Sequence, residues 1–172
     1  MNGFSKDGYI TDQDYFDAYE YRTMHADING CGWIAAFNIR HYLGHGVSFE
    51  TVLNEMDRMH SLRIPGPTTM PVMRAYIRKY MPGMTEHIGR ETARAAALGS
   101  RAGILRYTEA GVPHFISFIQ EGEVYRFFNV NDGLEDFTAS MEMFFDTHVP
   151  EKQYTSVFTL EKESAPETGA DL

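Results

Sequence analysis

The chain has 172 residues, a formal net charge of −9, 43% hydrophobic and 13% aromatic side chains, and one cysteine. That length suits one domain with a sizeable core, and the acidic balance argues against a nucleic-acid partner, because phosphate binding needs a basic surface. One cysteine excludes an intrachain disulfide, no apolar run approaches the roughly 20 residues that cross a bilayer, and the first residues lack a signal-peptide core; the expectation is a cytoplasmic protein without membrane association.

Residues 33–43 read as a helix with Ile34, Phe37 and Leu43 on one side, stopped by Gly44 and Gly46. Ser48 is a good N-cap for a second helix over 49–59, with Val52, Leu53, Met56 and Met59 at helical spacing. Two prolines around Gly66 make 63–68 a loop. Thr69 can cap a third helix that tolerates Pro71 in its first turn and closes at Met81-Pro82-Gly83. An alanine-rich piece over 90–98 ends at Gly99. The periodicity then changes. Residues 103–107, 114–119 and 124–130 read as strands, the last two joined by a Glu121-Gly122 turn. A short helix is expected over 138–145 and a closing strand over 154–160. Residues 163–172 are polar and read as a disordered tail, leaving 1–162 as a single domain. Helices first and antiparallel sheet second make an α+β domain, with an N-terminal helical part packed on a C-terminal sheet.

The lone thiol sits in Asn29-Gly30-Cys31-Gly32-Trp33, where a glycine-flanked loop runs into the first helix. A helix N-terminus carries about half a positive charge and unpaired N–H donors, which favour the nucleophilic thiolate. Glycine on either side lets a substrate backbone come close. A buried structural cysteine is the commoner fate of a single Cys. Against it stands a candidate base far downstream, His114 in Pro113-His114-Phe115, at the start of a strand. Cysteine first and histidine much later is the order of a Cys-His hydrolase. His41 and His45 are four apart but lack the glutamate of a zincin motif, so no metal is expected. No phosphate-binding or dinucleotide glycine pattern occurs, and no cofactor is expected. His60, His87 and His148 read as surface residues. The methionines over 56–84 read as core filler, and Asp12, Asp14, Asp17 and Glu20 as a solvated face.

Taken together, Cys31-Gly32, His114-Phe115, Val130-Asn131-Asp132-Gly133 and Met141-Glu142-Met143-Phe144-Phe145 resemble the papain-like cysteine peptidases. They are most similar to the small bacterial branch that cleaves leaders after a double glycine. The resemblance covers about residues 20–160 and rests on order and spacing. It implies a papain-like fold with the Cys helix in the N-terminal part, and a Cys31–His114 pair.

Two residues compete as the third member. A Glu121-Gly122 turn sets Gln120 opposite Glu123 and His114 opposite Asn129, on one face of the hairpin, so Asn129 can accept from the imidazole. The resemblance points instead to Asp132, which needs a bulge or strand end to face the histidine. Asn129 ranks slightly ahead; ordinary turn chemistry explains either residue equally. In the family a glutamine six residues before the cysteine completes the oxyanion hole beside the cysteine N–H. Here that position is His25, an altered donor, with Asn29 as a second candidate. Two readings follow: a hydrolase of peptide or amide bonds, with acyl transfer through the same thioester, or a catalytically weak or inactive papain-like domain that binds a peptide or protein partner.

Overall fold

A computed structural model describes residues 3–62, 64–130 and 137–161, and the statements below concern these residues. The tail expected over 163–172 lies outside them. A 3-10 turn, Gln13–Phe16, precedes a two-stranded ribbon of β1 (Glu20–Tyr21) and β2 (Met24–His25). The short helix α1 (Ala26–Asn29) passes through Gly30 into α2 (Cys31–Tyr42). Helix α2 begins two residues earlier than its apolar pattern suggests, so Cys31 is its first residue. It is buried from Cys31 through Arg40, as expected of a helix that is apolar around most of its circumference. Helices α3 (Phe49–Met59) and α4 (Met70–Tyr80) pack around it. The Ser48 hydroxyl accepts from the Thr51 N–H at the start of α3, the capping predicted from sequence.

The second half is an antiparallel sheet. Its strands are β3 (Thr85–Ile88), β4 (Ser100–Glu109), β5 (Val112–Glu121), β6 (Val124–Phe128), β7 (Phe137–Ala139) and β8 (Ser156–Glu161). Their order is β3-β8-β4-β5-β6-β7. Helices α5 (Arg90–Leu98) and α6 (Met141–His148) complete the domain. No described helix is long and apolar enough to cross a membrane.

Three expectations need correction. The helix expected over 138–145 is the end of β7 followed by α6, because Ser140 accepts from the Met143 N–H and starts the helix there. The β5–β6 turn is Gly122-Glu123, with Glu121 paired to Val124, since Gly122 takes the positive φ of +65° that the turn demands. His114 is therefore not paired with Asn129; β6 stops at Phe128, opposite Ser117. His60, read as a surface residue, is buried, and His148 stacks on Phe144 with ring centroids 4.7 Å apart.

Alternate strand residues feed two cores. Ala102, Ile104, Phe115, Phe128 and Phe158 face α2–α4, whereas Leu105, Ile116, Phe127 and Val157 face α5 and α6. The sheet is thus the middle layer of three, with the cysteine helix on one side.

Candidate functional site

Cys31 opens α2 on the side of the sheet where the N-terminal segment and the 66–68 loop converge. Gly32 is required by that loop: a Cβ there would lie 2.2 Å from the Thr68 Oγ1. The glycine thus admits the protein's own Thr68, not a substrate backbone as the sequence suggested. Tyr21 and Thr68 share a hydroxyl–hydroxyl bond of 2.7 Å that fixes the loop. Cys31 is 5% exposed, and what exposes it is a cavity of about 230 Å³. Ile28, Met24, Val112 and Pro113 give that cavity apolar sides, Gly66 and Pro67 form one wall, and Gln13, Glu109 and His114 supply polar groups. Ile28 and Val112 are both more than 60% exposed at its rim (62% and 61%), so an apolar ligand side chain would find partners there.

His114 pairs in register with Tyr107, whose ring it meets edge-on at 5.8 Å. Among the described residues, this part of β5 pairs with β4 and lies beyond the end of β6. The His114 ring and the Cys31 thiol line the same cavity, and the sulfur is among the groups that favour the protonated imidazole. Its Nε2 lies 2.8 Å from the Asn129 backbone carbonyl, which an N–H at Nε2 donates to, leaving Nδ1 for the sulfur. His114 titrates above the ordinary histidine range. Burial is the largest influence and pulls the other way; the neighbouring Cys31 sulfur, the Asn129 carbonyl and Glu109 together overcome it.

Asn129 contributes through its backbone, where the sequence pointed to its side chain. It sits at φ +64°, a region that side chains other than glycine adopt at a cost. Its side chain explains how the conformation is held. The Gln13 N–H donates to Asn129 Oδ1 (3.1 Å), and Asn129 Nδ2 donates to Gln13 Oε1 (3.1 Å). Gln13, which sequence reasoning missed, therefore does two things. It locks Asn129, and its Nε2 donates to the Asp27 carbonyl at 2.6 Å. That carbonyl, four residues before Cys31, is the acceptor that a continuous helix offers the Cys31 N–H.

The other sequence candidates have different places. His25 is exposed, its Nδ1 2.7 Å from the Asp17 carbonyl, and it does not line the cavity. Asn29 does line it, but Nδ2 donates to the carbonyls of Tyr21 (2.8 Å) and Gly66 (2.9 Å), so its amide protons hold the wall. Asp132 lies outside the described residues. No described group of three His, Cys, Asp or Glu side chains is placed to hold a metal ion. A larger cavity of about 640 Å³ lies by Asp7, Tyr15 and Arg126, away from the thiol. Compared with models of known families and with curated proteins, the chain matches none.

Proposed function

We propose that the chain is a papain-like cysteine hydrolase acting on a peptide or amide bond. The observation that carries this reading is the cavity that Cys31 and His114 line together, with His114 Nε2 hydrogen-bonded to the Asn129 carbonyl. His114 takes the thiol proton, and the sulfur attacks the substrate carbonyl carbon. The carbonyl oxygen gains the negative charge. Two donors are suited to receive it: the Cys31 N–H at the start of α2, and the second Nε2 proton of Gln13. The imidazolium then protonates the leaving nitrogen, the C–N bond breaks, and a thioester remains. Water, losing a proton to His114, attacks that thioester and the thiol leaves. The Asn129 carbonyl holds the ring N–H throughout and stabilises the imidazolium, the role an aspartate or asparagine side chain has in related constellations.

In this reading Gln13 replaces His25 as the oxyanion residue. The amide lies far from the family's usual position along the chain but reaches the same cavity. Gln13→Ala is expected to lower turnover about 10²–10³-fold, the range for losing one such donor.

A second reading, a domain that binds a peptide without cleaving it, has one observation in its favour: Gln13 Nε2 already spends a proton on Asp27. A library of peptides and acyl thiols, screened against the protein and Cys31→Ala, separates the two. Turnover that disappears in Cys31→Ala supports the hydrolase. Saturable binding without turnover, unchanged in that variant, supports the binding domain. Iodoacetamide alkylation against pH gives an independent check: rapid reaction below neutral pH that His114→Ala slows supports the pair, and a profile indifferent to His114→Ala defeats it.

A further inference from the structure

The N-terminal segment lies along the strand that leads to the site. Asp7, Tyr9 and Gln13 meet Arg126, Phe128 and Asn129 in that order. Asp7 Oδ2 and Oδ1 accept from Arg126 Nη1 (2.7 Å) and Nη2 (3.0 Å). The Tyr9 ring stacks on Phe128 with centroids 4.5 Å apart and planes 16° from parallel. Gln13 exchanges two hydrogen bonds with the Asn129 side chain.

The ring stack covers a weak point of the sheet. Phe128 is the last residue of β6 and pairs with Ser117 of β5, whereas the described pairing of β7 with β6 ends at Phe127. Among the described residues, Phe128 thus has a ladder on one side, where strand ends open most easily. The next residue is Asn129, at φ +64°, whose carbonyl receives the His114 Nε2 proton. A swing of Phe128 would carry that carbonyl with it, because a planar peptide joins the two residues.

We propose that Tyr9 is a positioning residue for His114: its ring holds Phe128, and through Phe128 the Asn129 carbonyl, where the imidazole N–H meets it. The stack fills the space into which Phe128 would swing, and polar bonds keep the filling ring in place. The Tyr9 N–H donates to Ser5 Oγ (2.9 Å), and its carbonyl accepts from the Ser5 N–H (2.8 Å). Ile10, the next residue, is bound through both backbone groups to the Asn38 side chain of α2. His41 of the same helix meets the Tyr9 ring edge-on at 4.8 Å. The Arg126 guanidinium covers both rings, 5.6 Å from the Tyr9 centroid and 4.9 Å from that of Phe128.

The same short segment is therefore fastened to α2, the helix that Cys31 opens, and to the strand end that supplies the imidazole's acceptor. As an aid to catalysis this role rests on the hydrolase reading. As a statement about the bond between His114 and Asn129 it does not.

The test follows the His114 Nε2–H signal by nuclear magnetic resonance in the full chain, isotopically labelled at histidine, with no substrate present. Tyr9→Leu removes the stack but keeps an apolar side chain. It should speed exchange of that proton with solvent by about tenfold, the scale of one lost aromatic pair. Tyr9→Phe keeps the stack and should exchange as slowly as the parent chain. Asp7→Asn, at a half-exposed residue, should loosen the Arg126 cover and speed exchange by about two- to threefold. Val52→Ala, buried on α3, controls for core packing lost elsewhere and should leave the exchange unchanged. Parent-like exchange in Tyr9→Leu, fast exchange in Tyr9→Phe, or an equal acceleration in Val52→Ala would overturn the proposal. Should Tyr9→Leu fail to fold, Asp7→Asn decides, and parent-like exchange there overturns it. The signal needs no turnover, so a chain that cleaves nothing in the peptide screen removes the hydrolase reading and leaves this result standing.

Discussion

On the α5–α6 side of the sheet, Phe127 and Phe144 stack with centroids 4.0 Å apart and planes 11° from parallel, and His148 covers Phe144 in turn. On the α2–α4 side, the apolar core is threaded by buried polar bonds. Asn38 accepts from the Ile10 N–H (2.8 Å) and donates to the Ile10 carbonyl (2.9 Å) and Ser117 Oγ (3.0 Å). Arg40 donates to Glu55 and Tyr76, both at 2.7 Å. Packing rings fixes volume and is tolerant of small rotations; buried polar bonds fix direction as well. A thiol, an imidazole and a carbonyl need directions. The stacked side of the sheet supplies cohesion and backs the imidazole through Tyr107, whose ring meets both Phe144 and His114; the polar-threaded side positions the helix that carries Cys31.

The sharpest way to break this division is Cys31→Ala. In the proposed hydrolase it should remove turnover by roughly 10⁶-fold, the scale seen when a triad nucleophile is lost, while denaturant stability changes little. Phe144→Ala should do the reverse, costing about 3–5 kcal/mol of unfolding free energy with no change in the pH profile of Cys31 alkylation in the protein that remains folded. A Phe144→Ala protein of normal stability, or one with an altered alkylation profile, would dissolve the distinction between the two sides. Asn38→Leu should fall between them, costing about 1–3 kcal/mol for each backbone group of Ile10 left unpaired, as read by urea unfolding.

Two histidines sharpen the comparison through pH. His114 binds its proton more tightly in the folded chain than unfolded, so its contribution to stability is complete below the ordinary histidine range and is lost as pH rises through its raised value. His60, lowered chiefly by burial, behaves oppositely: its contribution is present above the ordinary range and lost as pH falls. Urea unfolding of His114→Gln and His60→Gln across pH should therefore give difference curves of opposite slope. Curves of the same slope would refute this assignment. The smallest effect belongs to a surface cap: Ser48→Ala should cost about 1 kcal/mol, with alkylation kinetics untouched.

Local rules served well where local chemistry decides. The Ser48 cap, the 49–59 helix and the 90–98 helix stand in the structure with the expected bounds. They failed where distant chain decides. The edge strands Thr85–Ile88 and Phe137–Ala139 are short and have their identity from their neighbours, β8 and β6, not from alternation. The Arg22-Thr23 turn of the β1–β2 ribbon places two non-glycine residues at positive φ, 50° and 61°, against the usual turn chemistry. At the site, Cys31 and His114 could be singled out by type and order. Gln13 could not, because its link to Asn129 joins residues 116 apart in sequence. A one-residue shift of the Glu121-Gly122 turn was enough to misplace Asn129, since register propagates along both strands.

The position of β8 has a further consequence for how the chain reaches this form. Residues Ser156–Glu161, the last described strand, lie between β3 and β4, deep in the order of the sheet. Until that segment has emerged and inserted, β4 has a bare edge and β3 has no partner, although the β4–β5–β6 meander can already zip locally. Folding during synthesis therefore leaves an open strand edge waiting for a late arrival, a slow long-range step of the kind that exposes a chain to wrong pairings. The insertion that completes the sheet is also the moment at which the wait ends.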